Sequence, residues 1–350
     1  MERDKRNIKL ARAVYIVALL GLLVYLGSIL QPVIAPLVLS IILSLVILPL
    51  ANGLEKIGFN RLFSGLTLVV VIALLILGVG FVGVIQLRDL GSSFGNIEQT
   101  FFSKLNRVVD HLPPSFQPPR LREIEDIEKI LPDDLGLLGS FFGDALKLTG
   151  GVLSTLTLIP IFVFFILFYR RKISHFLEWV DSKGSGELTL ATKESKKMVQ
   201  SYLSGMGLVI LINASLATGG LWAIGISYAL LLGILSALLT VIPYIGTFVG
   251  ALIPIAFAFL TKDSLAYGFG VMALYIIIQF IENNFISPVV LGNSVNVNPF
   301  ASVLALLVMG HYWGVIGMLV AVPLTAVIVI LFDHSKMLKP LNLLLKNDNE

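Results

Sequence analysis

Residues 227–260 read SYALLLGILSALLTVIPYIGTFVGALIPIAFAFL, a run without one charged side chain. As a single helix it would reach roughly 50 Å at 1.5 Å per residue. A bilayer's hydrocarbon core is only ~30 Å thick. Near the middle, Pro243 removes a backbone donor and disfavours helix at Ile242. Gly246 supplies φ values that other residues avoid. One helix therefore ends and a second begins at membrane depth, which makes 227–260 a broken or re-entrant segment instead of a plain span.

Outward from this stretch, the chain is filled by apolar runs. Plain ones occupy 11–31, 33–50, 62–87, 148–169, 203–225 and 264–287. Each is near the ~20 residues a spanning helix needs. A second overlong run lies at 300–332 and holds Met309-Gly310-His311-Tyr312-Trp313-Gly314-Val-Ile-Gly317, with Pro323 beyond. It shares with the first a Tyr-x-Gly, a further Gly within one turn (Gly250 in the first, Gly317 in the second) and a Pro within two turns. Apolar residues make up 56% of the chain and charged ones 13%, with mean hydropathy +0.92, far from soluble norms. The fold expected is an all-α polytopic membrane protein of about six plain transmembrane helices and two broken or re-entrant hairpins. Its parts are 1–87 (first membrane helices), 88–147 (an extracytoplasmic helical segment), 148–335 (a membrane domain with both broken segments) and 336–350 (a tail).

Charge sets the orientation. The amino terminus, the 51–61 loop, the 170–200 loop and the tail are basic, whereas 88–147 holds seven basic and ten acidic residues. Basic loops stay in the cytoplasm, so both termini are expected there, with 88–147 outside. The amino-terminal run lacks a small-residue cleavage site and reads as an uncleaved span. In 88–147, Phe94, Ile97, Phe101, Leu105, Val108 and Leu112 mark an amphipathic helix. A second follows at Leu121, Ile124, Ile127 and Leu131. These stripes need a cover, which lipid headgroups, the chain's own membrane domain or another copy of the chain can supply. The acidic outer face of the second helix favours another copy over anionic lipid, so a homo-oligomer is anticipated.

The polar chemistry is sparse. Cysteine is absent and the four histidines are scattered, so no cofactor or metal is expected. Gly78-x-Gly80-x-x-Gly83 lies inside an apolar run and reads as a helix-packing face. Asn213-Ala-Ser215 spells a glycosylation sequon in mid-span, where it is void. There is no phosphate-binding loop, and no nucleophile or acid–base pair, so an enzyme is not expected, nor a nucleic-acid partner. What remains is a stripe on the 264–287 run: Tyr275, Gln279, Glu282 and Asn283 fall at i, i+4, i+7 and i+8. Glu282 is the one acidic residue between Glu194 and Asp333 outside a loop. A carboxylate at the bilayer centre costs roughly 2.5–3.5 kcal/mol, so it is paired, protonated, facing water, or reaching for the interface. Asn284, Pro288, Gly292, Asn298 and Pro299 shape the connection to the second broken segment.

These residues carry a resemblance. Pro243-Tyr244-Ile245-Gly246, the run from Glu282-Asn283-Asn284 through Pro288 and Gly292 to Asn298-Pro299, and Gly314-Val-Ile-Gly317 with Pro323 resemble the autoinducer-2 exporter (AI-2E) family of bacterial permeases. Thr247 stands where many members have proline. The resemblance implies a secondary transporter of the bacterial inner membrane. Its solute or ion path would involve Pro243, Tyr244, Gly246, Gly250, Gln279, Glu282, Asn283, Asn284, Pro288, Tyr312, Gly314 and Gly317, the broken segments together forming the site. Export of a small polar solute, autoinducer-2 among the candidates, stands beside a sodium/proton-type cation antiporter. A non-transporting membrane scaffold is the alternative from another class. It leaves the paired breaks unexplained.

Overall fold

The computed structural model describes residues 27, 29–74, 78, 149–181, 186–292, 294–335 and 338–347. The expected first span, most of the 88–147 segment's surroundings and that segment itself, and the Gly80 to Gly83 packing face lie outside the described residues. The described elements are helical: α1 (Gln31–Lys56), α2 (Arg61–Leu74), α3 (Thr149–Asp181), α4 (Glu187–Ile224), α5 (Ala229–Leu239), α6 (Ile245–Thr261), α7 (Leu265–Ile281), a π-helical turn (Glu282–Ile286), α8 (Ser287–Val290), α9 (Pro299–Asp333), a 3-10 turn (Lys339–Leu341) and α10 (Asn342–Leu345). Among the described residues, four stretches are long and apolar enough to cross a membrane: α1, α4, Leu265–Val290 and α9. The protein is an all-α polytopic membrane protein.

The 170–200 segment corrects the sequence expectation of a basic loop. Its described residues on both sides of 182–186 are helical: α3 runs on to Asp181 and α4 begins at Glu187. Hydropathy falls there because the helices leave the apolar zone, while the helical backbone continues. The Thr189 backbone N–H donates to the Asp181 carboxylate at 2.8 Å, tying the start of α4 to the end of α3.

The chain falls into two compact units, each built from separated stretches of sequence. One comprises 1–70, 154–203 and 294–350; the other comprises 71–153 and 204–293. In the first, Ile42, Val199 and Val320 share a core. The Ser40 hydroxyl meets the Ile159 carbonyl at 3.2 Å, and the Gln200 amide donates to Leu45 O at 2.8 Å. Arg170 and Glu55 pair at 2.6 Å with side chains under one-fifth exposed. The residues after α9 are pinned to its foot: Asn342 Nδ2 donates to Val329 O and Asp333, Lys346 pairs with Asp333, and Asn298 Nδ2 donates to Leu344 O.

In the second unit, Leu221, Ile226, Leu232, Phe257, Ala258 and Val271 form the core joining the end of α4 to α5, α6 and α7. The first broken segment is a hairpin here. At eleven residues α5 is about 16 Å long, too short to cross a membrane. α6 folds back along it, so that a Cβ on Gly250 would strike the Ser236 backbone fourteen positions earlier. In a straight rod those residues would be about 21 Å apart.

The second broken segment, in the first unit, bends just as sharply although its helix is nominally continuous. Gly314 has φ 59° and ψ −140°, far from helical values. A Cβ on Gly317 would meet the Met309 carbonyl, and Ala301 packs in one cluster with Ala326 and Val329. The two arms therefore run against each other, as expected for a hairpin.

Candidate functional site

The first break is a tight turn, and its strain sits on a different residue from the one the sequence suggests. Tyr244 adopts φ 65° and ψ −63°, and the Ile245 N–H donates to Pro243 O at 2.8 Å. This is the positive-φ γ-turn, a rare and strained form. For a non-glycine residue it costs on the order of 1–3 kcal/mol. Gly246 has no positive φ; it is buried at the start of α6, where a Cβ would collide with the Leu239 carbonyl. Its requirement is close approach, not backbone freedom. In the second break the strained position is Gly314, and the close approach belongs to Gly317. By geometry Tyr244 thus corresponds to Gly314, and Gly246 to Gly317. The shared Tyr-x-Gly puts the two segments out of register.

Beside the first break lies the polar centre of the second unit. Glu282 opens the π-helical turn between α7 and α8 and is 8% exposed. A π-turn inserts an extra residue into a helix and recurs at functional sites. Glu282 does not reach for the interface. Its Oε2 accepts a 2.6 Å hydrogen bond from Asn213 Nδ2 of α4, itself 3% exposed. Two acceptors would repel at that distance, so an ionised Glu282 fixes which end of the amide faces it. Asn213 Oδ1 is buried with no hydrogen-bond partner.

Two turns back along α7, the Tyr275 hydroxyl donates to Ser236 Oγ of α5 at 2.8 Å, and Ser236 donates to Gly233 O at 3.0 Å. Asn213, Ser236, Thr240, Thr247, Gly250, Tyr275, Gln279 and Glu282 line a cavity of about 20 Å³, enough for one water-sized group. Thr247, Ala251, Tyr275 and Gln279 also border an open groove of about 350 Å³, whose remaining walls are Phe248, Leu252, Ile255, Met272 and Ile276.

The structure therefore gathers Gly250, Gln279 and Glu282 from the sequence-derived set, together with Tyr275 of the polar stripe. Pro243, Tyr244 and Gly246 form the turn at the head of α6. Asn283 and Asn284 are exposed and bond within their own helix, Asn283 to Gln279 Nε2 and Asn284 to Phe280 O. Pro288 is exposed in α8. Tyr312, Gly314 and Gly317 belong to the hairpin of the other unit. Sequence reasoning missed Asn213, Ser236 and Thr240. The available signal for Asn213 was a carboxamide in an apolar span, which needs a hydrogen-bonding partner on another helix.

Apolar helices broken by two tight turns, with a buried carboxylate and carboxamide beside the first, fit a membrane permease. The chain belongs to the AI-2E family of transporters, whose sequence pattern it matches over residues 13–337. It is 28% identical to YrrI of Bacillus subtilis over 319 residues, 87% of each chain. It is 31% identical to YueF of the same organism over 214 residues, 60% of this chain and 58% of YueF. Both are named as transport proteins. PerM of Escherichia coli, named as a permease, is 24% identical over 337 residues, 91% of each chain.

Proposed function

We propose that this transporter is a secondary carrier that exports a small solute across the bacterial inner membrane by alternating access, with the Glu282 cavity on its path. The observation that carries the reading is Glu282 itself: a carboxylate buried among apolar helices, on a π-turn, held by one amide and lining a cavity beside a strained helix break. A carboxylate placed there for stability alone would be an expensive choice, and broken helices leave backbone groups that a solute or ion can pair. Autoinducer-2, the quorum-sensing signal in the family name, is the first polar solute to try. A sodium/proton-type exchange is the second reading, favoured by the unpaired Asn213 Oδ1 next to a carboxylate, both suited to a desolvated cation. Neither reading needs a catalytic group, and the protein is proposed not to be an enzyme.

Flux into sealed proteoliposomes containing the full chain, with proton and sodium gradients imposed in turn, separates them. Export predicts accumulation of labelled autoinducer-2 that depends on the protein. Exchange predicts a proton flux driven by sodium alone. Neither flux under either gradient would refute both.

Orientation has its own test. Both termini are proposed to lie in the cytoplasm and 88–147 outside, with a homo-oligomer covering the amphipathic stripes of that segment. The chain has no cysteine, so single cysteines at Ser92, Ser140 and Ser185 can be labelled without background. An impermeant reagent applied to intact cells should label the first two and spare the third. Labelling of residue 185 alone would reverse the orientation.

A further inference from the structure

Glu282 is a buried carboxylate with no cationic side chain among the residues of its cavity, and that charge points to a ligand. Every hydroxyl on the cavity wall already donates to the protein: Tyr275 to Ser236 Oγ, Ser236 to Gly233 O, Thr240 to Ala237 O and Thr247 to Tyr244 O. Asn213 Nδ2 donates to Glu282. Two acceptors are left without a partner, the buried Asn213 Oδ1 and the second carboxylate oxygen of Glu282. The donors that remain are one N–H each on Asn213 and Gln279, both neutral amides. No Lys, Arg or His lines the cavity. A buried carboxylate with one amide partner and a neighbouring orphan acceptor calls for a group that brings several donors and a positive charge. At about 20 Å³ the cavity takes a group the size of water, which an ammonium head matches. A groove of about 350 Å³ with apolar walls shares Thr247, Ala251, Tyr275 and Gln279 with it, and this volume is at the small end of ligand sites.

We propose that this site binds a primary ammonium group carried on a short apolar body, the head between Glu282 and Asn213 and the body along Phe248, Leu252, Met272 and Ile276. The assignment rests on the reading of the Glu282 cavity as the solute site and puts an amphiphilic amine there in place of autoinducer-2, which carries no ammonium group. Charge complementarity selects the head, and the groove's walls select the body. An uncharged polar solute would leave the carboxylate unneutralised, and an anion would be repelled by it.

Binding of n-hexylammonium to the purified full chain in phosphatidylcholine nanodiscs tests this by calorimetry near neutral pH. Three comparison probes are 1-hexanol (the body alone), methylammonium (the head alone) and hexanoate (the opposite charge). Hexylammonium should bind saturably and at least about tenfold more tightly than each of them. Glu282→Gln should weaken hexylammonium by at least about tenfold, as loss of a charged hydrogen-bonding partner does, and leave hexanol unchanged. Met272→Trp, which fills the groove but not the cavity, should weaken hexylammonium and spare methylammonium; it decides the matter if the Glu282 variant fails to assemble. Hexanol binding as tightly as hexylammonium would overturn the proposal, since any apolar chain, a lipid tail included, would then suit the groove. Unchanged hexylammonium affinity in either assembled variant would overturn it too. Vesicle flux keeps the two readings apart. Amine binding without movement sinks transport through this site and leaves the recognition standing. Movement of an uncharged solute without amine binding does the reverse.

Discussion

Glu282→Gln is expected to insert and assemble as the parent chain does, and to move solute about tenfold more slowly. Gln preserves the shape of the side chain and can still accept the Asn213 hydrogen bond through its carbonyl oxygen. What it removes is the charge. Hydrogen bonds to a charged group contribute about 1.5–3 kcal/mol, against about 0.5–1.5 kcal/mol between neutral groups. The difference of about 1.0–1.5 kcal/mol is a factor of roughly five to twelve, the scale of the expected loss. Initial rates in proteoliposomes, normalised to inserted protein and taken from pH 6 to 8.5, measure it. Wild-type rates across that range would reduce Glu282 to a structural polar residue. Asn213→Ala should also slow transport, because it withdraws the one donor that orients the carboxylate. The double variant should lose less than the sum of the two single losses, as contacting residues do.

How far the sequence foretold this site can be judged residue by residue. Glu282 was legible because an acid in an apolar run is costly wherever it ends up. The breaks near 243 and 314 were legible because the apolar runs are longer than a bilayer is thick and carry Pro and Gly at mid-length. Asn213 was not, since its partner lies 69 positions away and a local pattern says nothing about which helices meet. It read instead as a void sequon. The strain at Tyr244 was hidden by a reasonable expectation, that glycine takes the positive φ. Pro243 and the return of α6 onto α5 force that geometry one position after the proline, where the chain has a tyrosine. Gly246 is then needed for a different reason, the carbonyl of Leu239 at its back. The helices over 170–181 and 187–200 were hidden because hydropathy reports the solvent of a segment and not its backbone.

The two hairpins should be the points at which this fold tolerates least change. Gly246→Ala and Gly317→Ala each add one methyl group, and in each case that carbon would overlap a backbone carbonyl, Leu239 for the first and Met309 for the second. A flexible side chain could swing aside, but a carbonyl at the end of a helix moves only if the hairpin opens. Overpacking in a well-packed site costs about 1–3 kcal/mol, and the upper end applies when backbone must give. Gly314→Ala meets no neighbouring atom and still loses, because φ 59° with ψ −140° strains any residue with a Cβ by about 1–3 kcal/mol. Gly207→Ala is the control: the residue is exposed within α4 with nothing near it, so alanine should stabilise by up to about 1 kcal/mol through helix propensity. Melting of the four variants in one detergent at a fixed scan rate, followed by the loss of the assembled peak in size-exclusion chromatography, ranks them. The order expected is Gly207→Ala at or above the parent, and the other three well below it. Gly246→Ala or Gly317→Ala melting with the parent would mean that the hairpin arms do not approach as closely as drawn. The break concerned would then be an ordinary kink between independent spans, and for Gly246 no tight turn would hold the Glu282 cavity in place.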